Sequence, residues 1–247
     1  MNSQRTLGAI ILAAGKGKRM QSKELNKVAL LLNNKPIISH VLEVLEKMQF
    51  KTIIIVVGHA KESVKKAIKS PAVIFAEQQE QLGTGDAVAA ALDKIPSEIT
   101  DVVVIQGDDA FFYKEEIFAK LSKKHFATDA AVTFLTIQVD NPFGLGRVVR
   151  DGLGTVRAIV EEKDADEKQR KINEINPACY VFKISFLKKY LSQITKSPVT
   201  GEYYLTSLID IAIKHEEKLE TVNAGFIPWR GINTKEELAE AERIFKN

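Results

Sequence analysis

Four short runs, LGAIILAA (7–14), TIIIVV (52–57), AVIFA (72–76) and DVVVIQ (101–106), restrict what this chain can become. Each is apolar and mostly β-branched and lacks the polar alternation of a strand with one wet face. Each therefore predicts a strand buried on both sides. Such strands pair in parallel and need helices over both faces of the sheet, joined by right-handed crossovers. The segments between them supply those helices. Ile37, Ile38, Val41, Leu42, Leu45 and Met48 set an apolar stripe at helical spacing along 36–48, and 61–69 and 86–95 carry shorter versions. The expectation is an α/β fold with a doubly wound, mostly parallel sheet.

Beyond about residue 130 the rhythm changes. AAVTFLTIQV and GRVVR read as strands, and Asp151-Gly152 is a turn signal on the way to TVRAIVEE. A polar excursion over 164–173, expected to be helical, precedes the strand ACYVFK. Helices are then expected over 184–193 and 203–215, a strand near 218–222, and a last helix capped by Thr234-x-x-Glu237. No repeat, low-complexity tract or linker interrupts the 247 residues. The reading is one domain, 1–247, whose second half lays a β-rich flap beside the sheet.

Composition excludes more than it selects. Thirty-five basic against thirty-two acidic residues leave a net charge of +3, too slight to argue for a nucleic-acid or membrane partner. The lysines of VKKAIK and LSKKH read as solvated helix faces. The single cysteine, Cys179, lies in the apolar run ACYVF and reads as a core thiol in a reducing compartment. No stretch approaches the length of a membrane span, and MNSQRT enters the first strand without a signal-peptide core. A cytoplasmic protein is expected.

The chemistry starts where the first strand ends, in LAAGKGKRM. Gly15 and Gly17 can bring backbone N–H groups onto phosphate oxygens, with Lys18, Arg19 and Lys27 to follow. A P-loop would need glycine at Met20, and so would a dinucleotide fingerprint. A different phosphate loop remains, or an exposed basic turn. Gln78 and Gln81 precede Gly83-Thr84-Gly85 and the start of a helix near Asp86. An amide can donate and accept together, as the N3–H and O4 edge of uracil requires. VVVIQGDD ends a buried strand at Gly107-Asp108, and a carboxylate at the carboxyl end of such a strand suits Mg²⁺.

Taken in order, LAAGKGKRM, LNKV, EQLGTGDAV, GDD, NPFGLGRV, IVEEKDA, EIN, GEYYLT and GIN resemble the sugar-1-phosphate nucleotidyltransferases over nearly the whole chain. Within them the pattern is most similar to the uridylyltransferase half of the bifunctional N-acetylglucosamine-1-phosphate uridyltransferase/glucosamine-1-phosphate acetyltransferases. The resemblance implies a Rossmann-like nucleotidyltransferase fold, with a nucleotide half to about residue 130 and a sugar half with the C-terminal helix beyond it. It implies transfer of uridylyl from UTP to a sugar-1-phosphate, N-acetylglucosamine-1-phosphate foremost, with Mg²⁺ as cofactor. By the same resemblance Leu12, Ala13, Ala14, Gly15, Gln78, Gln81, Gly83 and Thr84 hold the nucleotide. Arg19 and Lys27 neutralise phosphates, and Asp108 and Asn233 hold the metal. Gly146, Glu161, Asn176, Tyr203 and Thr206 hold the sugar.

Some positions depart from that pattern. Asn26 replaces a proline and the loop before it is one residue longer. Gln106 stands for a tyrosine, Asp109-Ala110 for Val-Pro, and Pro177-Ala178 for a glycine-containing turn. No hexapeptide repeats follow AERIFKN, so no acetyltransferase β-helix is expected. A catalytically silent nucleotide-sugar-binding module is the reading from another class, and it would not need Arg19, Lys27, Asp108 and Asn233 together.

Overall fold

The computed structural model describes residues 5–17, 24–108, 113–226 and 231–246. The four apolar runs form strands β1 (Leu7–Ala13), β4 (Ile53–Val57), β5 (Val73–Glu77) and β6 (Asp101–Gln106), and a small hairpin of β2 (Leu31–Leu32) and β3 (Lys35–Pro36) stands apart. They lie in the order β5-β4-β1-β6 with every pair parallel. Leu12 is in register with Gln106 and Ala13 with Val57, so the carboxyl ends of the central strands finish level.

The helices cover both faces, as strands without a wet side require. Along β1, Ile10, Leu12 and Ala14 join a core with Ala87, Val88 and Ala91 of α3 (Thr84–Leu92). Ala9, Ile11 and Ala13 face the other way. They meet α1 (Ile37–Lys47) through Ile38, Val41, Leu42 and Leu45, α2 (Lys61–Ala67) through Val64, and α4 (Glu115–Thr128) through Phe118 and Leu121.

The second half continues the sheet in antiparallel fashion through β7 (Val132–Gln138), β8 (Gly146–Arg150), β9 (Val156–Val160), β10 (Glu174–Asn176) and β11 (Tyr180–Lys183). β11 pairs with β6, so the flap is an extension of the parallel core and shares its frame. β12 (Leu219–Phe226) pairs with β7 in parallel. Helices α5 (Ile184–Tyr190) and α6 (Ser207–Lys214) pack on the same face as α3, and α7 (Lys235–Lys246) closes the chain against the β2–β3 hairpin. The Asp151 turn forms as expected, its carboxylate accepting from the N–H groups of Leu153 and Thr155.

Two expectations are corrected. The polar segment 164–173 holds only one short 3₁₀ turn, Gln169–Lys171, because it has no apolar stripe to bury. The helix expected from 203 starts at Ser207, since the residues before it are bound to another loop. The lysines of LSKKH do face solvent, but its histidine does not. His125 is fully buried, with one ring nitrogen on Thr133 and the other 3.0 Å from Asp101. Cys179 is buried, as a core thiol should be, and among the described residues no helix is long and apolar enough to cross a membrane.

Candidate active site

At the carboxyl ends of β1 and β6 the chain opens a cleft of about 490 Å³. Its floor comes from those strands. The Gly107 N–H donates to the Leu12 carbonyl at 2.9 Å and thereby carries the pairing one residue past β6, so that Asp108 emerges over the end of β1. Lys27 reaches the same point from the loop after β1. Its ammonium is ion-paired with the Asp108 carboxylate and donates to Asn233 Oδ1 at 2.9 Å. Two oxygen donors and one cation, 206 residues apart at the extremes, thus meet in one place.

Asn26 explains why Lys27 can be held there. It is 2% exposed, and its Nδ2 donates to the carbonyls of Ala13, Gly15 and His59, while its Oδ1 accepts from the Val28 N–H and caps the short 3₁₀ turn Lys27–Ala29. Where the family pattern has proline, this chain uses an amide that ties the Gly15 loop, the end of β1 and the β4–α2 turn together. An asparagine two residues before a valine carries an N-cap signal in the sequence; its three carbonyl contacts do not. On the far side, Asn233 is fixed by the expected capping box of α7, in which Glu237 accepts from the N–H groups of Asn233 and Thr234 and Thr234 Oγ1 accepts from the Glu237 N–H.

The flap supplies the opposite wall. Glu161, Asn176 and Thr206 line the cleft with Gly146. Burial pushes the Glu161 carboxyl up from its ordinary range, against the Thr206 hydroxyl that donates to it at 2.9 Å. A Cβ on Gly146 would stand 3.1 Å from Ile159 and 3.6 Å from the Glu161 carboxylate oxygens, so glycine keeps that carboxylate open to the cleft. Asn176 is more committed. Its Oδ1 accepts from the Ala178 N–H and the Tyr180 hydroxyl, and its Nδ2 donates to the Leu135 carbonyl, leaving one N–H. Pro177 and Ala178 line the cleft as well, with Ala178 held at φ 51°, a conformation glycine adopts with less strain.

Among the expected site residues, Leu12, Lys27, Thr84, Asp108, Gly146, Glu161, Asn176, Thr206 and Asn233 share this cleft. Gln78 and Gln81 line a neighbouring recess of about 340 Å³ beside Gly58. The Gln78 amino group donates to the Gly83 carbonyl and to Asp86, and Gln81 donates to the Gln78 carbonyl of the backbone. Ala13 and Ala14 are buried at the strand end and Gly15 is exposed beyond it. Arg19 lies outside the described residues, as do Asp109 and Ala110.

Two readings change. The glycines at 83 and 85 admit protein backbone: a Cβ on Gly83, which has φ 120°, would fall 2.5 Å from the Tyr203 carbonyl oxygen. Tyr203 donates its N–H to the Leu82 carbonyl and accepts from the Gly85 N–H, and Thr84 Oγ1 accepts from the Leu205 N–H, so the two loops are clasped. The clasp is also why α6 starts late. Tyr203 is the second correction. In the extended GEYYLT segment neighbouring side chains take opposite sides, and the Tyr203 ring points into a separate groove near Ile194 while Tyr204 and Glu202 line the cleft. Gln106, singled out in the sequence as a departure from the family pattern, lines the cleft as well.

A family model described as Nucleotidyl transferase matches residues 8–247. The Bifunctional protein GlmU of Caldicellulosiruptor saccharolyticus is 42% identical over 240 residues, a match covering 96% of this chain and 51% of that protein. The protein of the same name from Thermoanaerobacter pseudethanolicus is 40% identical, with 97% and 52% covered. The chain spans about half the length of these relatives. A solved structure assigned as a glucose-1-phosphate thymidylyltransferase from Bacillus anthracis, in complex with a sucrose, superposes with a TM-score of 0.79 at 21% identity over 98% of this chain and 96% of that one. That likeness is one of fold.

Proposed function

Since the chain belongs to the nucleotidyl transferase family, we propose that it transfers a uridylyl group from UTP to a sugar-1-phosphate, N-acetylglucosamine-1-phosphate before others, and releases pyrophosphate. The observation that carries this reading is the meeting of Lys27, Asp108 and Asn233 at the strand ends, opposite a wall built from Glu161, Thr206 and Asn176. One side is made for phosphate charge and the other for hydroxyl and amide groups.

A phosphate oxygen of the sugar-1-phosphate attacks the α-phosphorus in line. The new P–O bond forms as the bond to the β-phosphate oxygen breaks, and pyrophosphate leaves with that electron pair. The nucleophile is already an anion, so no side chain has to remove a proton. None of His40, His59, His125 and His215 lines the cleft, which accords with this. Lys27 neutralises charge growing on the α-phosphoryl oxygens, and the rigid strand ends hold it in place, so catalysis rests on positioning and electrostatics. Glu161 accepts hydrogen bonds from sugar hydroxyls, and the remaining Asn176 N–H donates to a hydroxyl or acetamido oxygen.

Asp108 and Asn233 already converge on one cation, the Lys27 ammonium. Mg²⁺ keeps several waters and takes few protein ligands besides phosphate oxygens, so this pair fits it. Among the described residues no group of three His, Cys, Asp or Glu side chains forms a fuller metal cage. Bound there, Mg²⁺ would supply charge neutralisation for the triphosphate.

Pyrophosphate release over a matrix of UTP, dTTP, CTP, ATP and GTP with several sugar-1-phosphates tests the reading. UTP with N-acetylglucosamine-1-phosphate should give the highest kcat/KM. Chelation should abolish it, and Asp108→Asn should lower kcat at least about a hundredfold with the fold intact. Turnover that survives EDTA would refute the metal assignment. A higher kcat/KM for glucose-1-phosphate would refute the amino-sugar acceptor and leave the uridylyl transfer standing; Gln106, Pro177 and Ala178 in the cleft wall are where such a preference would arise.

A further inference from the structure

Gln78 is 4% exposed, and its surroundings allow its amide only one orientation. The amino end faces the Gly83 carbonyl at 3.0 Å and Asp86 Oδ2 at 2.6 Å. Both are acceptors with no hydrogen to give, so the flipped amide would set its carbonyl against two oxygens. Among the described residues nothing donates to the Gln78 carbonyl oxygen, and Gln78 lines the recess beside Gly58. Gln78 therefore offers a ligand an acceptor and withholds its donor.

We infer that Asp86 is the positioning residue that sets nucleobase specificity, because its carboxylate holds the Gln78 amino group and leaves the carbonyl to face the base. The inference rests on the proposal above that Gln78 meets the base. A carbonyl so placed accepts from the N3–H of uracil or thymine. Cytosine has a lone pair at N3 and is repelled. Were the amide to turn over, the same side chain would donate to cytosine N3 and lose uracil, so the direction of one amide decides which bases enter. Asp86 can enforce that direction because it is itself fixed. It lies in the first turn of α3, between Gly85, whose N–H is bound to the Tyr203 carbonyl, and Ala87, whose N–H is bound to the Gly83 carbonyl. An ionised acceptor also makes a stronger bond than the neutral Gly83 carbonyl beside it. Asparagine at 86 would remove this restraint, since it could turn its own amide and pair with Gln78 either way.

The test is kcat/KM for UTP, dTTP and CTP with the preferred sugar-1-phosphate in the wild type, Asp86→Asn, Asp86→Ala and Gln78→Ala. Asp86→Asn should lower the UTP-to-CTP ratio roughly tenfold or more, leave the UTP-to-dTTP ratio unchanged, and leave the KM for sugar-1-phosphate unchanged. Asp86→Ala should lower the ratio less, as Gly83 still holds one hydrogen; it also serves should the asparagine variant not fold. Two outcomes overturn the inference alone: Gln78→Ala collapses the ratio while both Asp86 variants keep it, or the Asp86 variants lose activity equally with all three nucleotides. If Gln78→Ala also keeps the ratio, or the wild type uses CTP as well as UTP, Gln78 does not read the base and both proposals fall.

Discussion

Asp101 opens β6 at the end opposite the site, fully buried. Burial would raise its pKa, but hydrogen bonds from His125, Arg5 and Thr100 outweigh that and hold it down from 3.8 to about 2. An ionised carboxylate only accepts, so His125 Nε2 carries the hydrogen at 3.0 Å, while Nδ1 lies 2.9 Å from the Thr133 hydroxyl oxygen. Arg5 Nε donates to the second carboxylate oxygen at 2.8 Å. A folded pKa below the unfolded one stabilises the protein above the unfolded value and loses that stabilisation as pH falls toward the folded value. The difference of nearly two units corresponds to about 2.5 kcal/mol at neutral pH, of which about half remains at pH 3 and little at pH 2. Urea unfolding from pH 7 to pH 2.5 on the wild type and Asp101→Asn isolates the effect from that of the other carboxylates. The variant should be less stable at pH 7 by about 2–3 kcal/mol, and the two curves should converge below pH 4. Parallel curves would mean that Asp101 is not held ionised by its partners and would refute the reasoning.

Asn26→Ala strips hydrogen bonds from the carbonyls of Ala13, Gly15 and His59 and frees the turn that carries Lys27. It should cost about 1–3 kcal/mol in urea unfolding and lower kcat at least about tenfold through the displaced ammonium; wild-type kcat in this variant would show that Lys27 is held by other means. Glu161→Ala should raise the KM for sugar-1-phosphate at least about tenfold, as it removes the acceptor at the back of the cleft, and leave the KM for UTP within about twofold. A rise in both would mean that the change is to the cleft as a whole. It would not be specific to the sugar.

The parallel core was legible because burial on both faces leaves a coarse mark: a strand that can meet no water must be apolar at every position, as Ile53 to Val57 are. The level strand ends follow from the same rule, and so does the placing of Asp108 over Leu12. What the sequence does not carry is direction within a residue. Tyr203 and Tyr204 are the same side chain in adjacent positions, and only the clasp between Tyr203 and the Gly83 loop decides which of them faces the cleft. Gln78 is legible as an amide near a glycine loop, yet the choice between its donor and its acceptor is made eight residues on, by Asp86. His125 reads as one more polar residue on a lysine-rich helix, and its burial is decided by a carboxylate on a strand 24 residues earlier. In each case the deciding partner is a backbone atom or a side chain in another element, and it exerts its effect through hydrogen-bond geometry. Residue type therefore locates the candidate site, while the direction in which its donors, acceptors and rings face depends on contacts between elements.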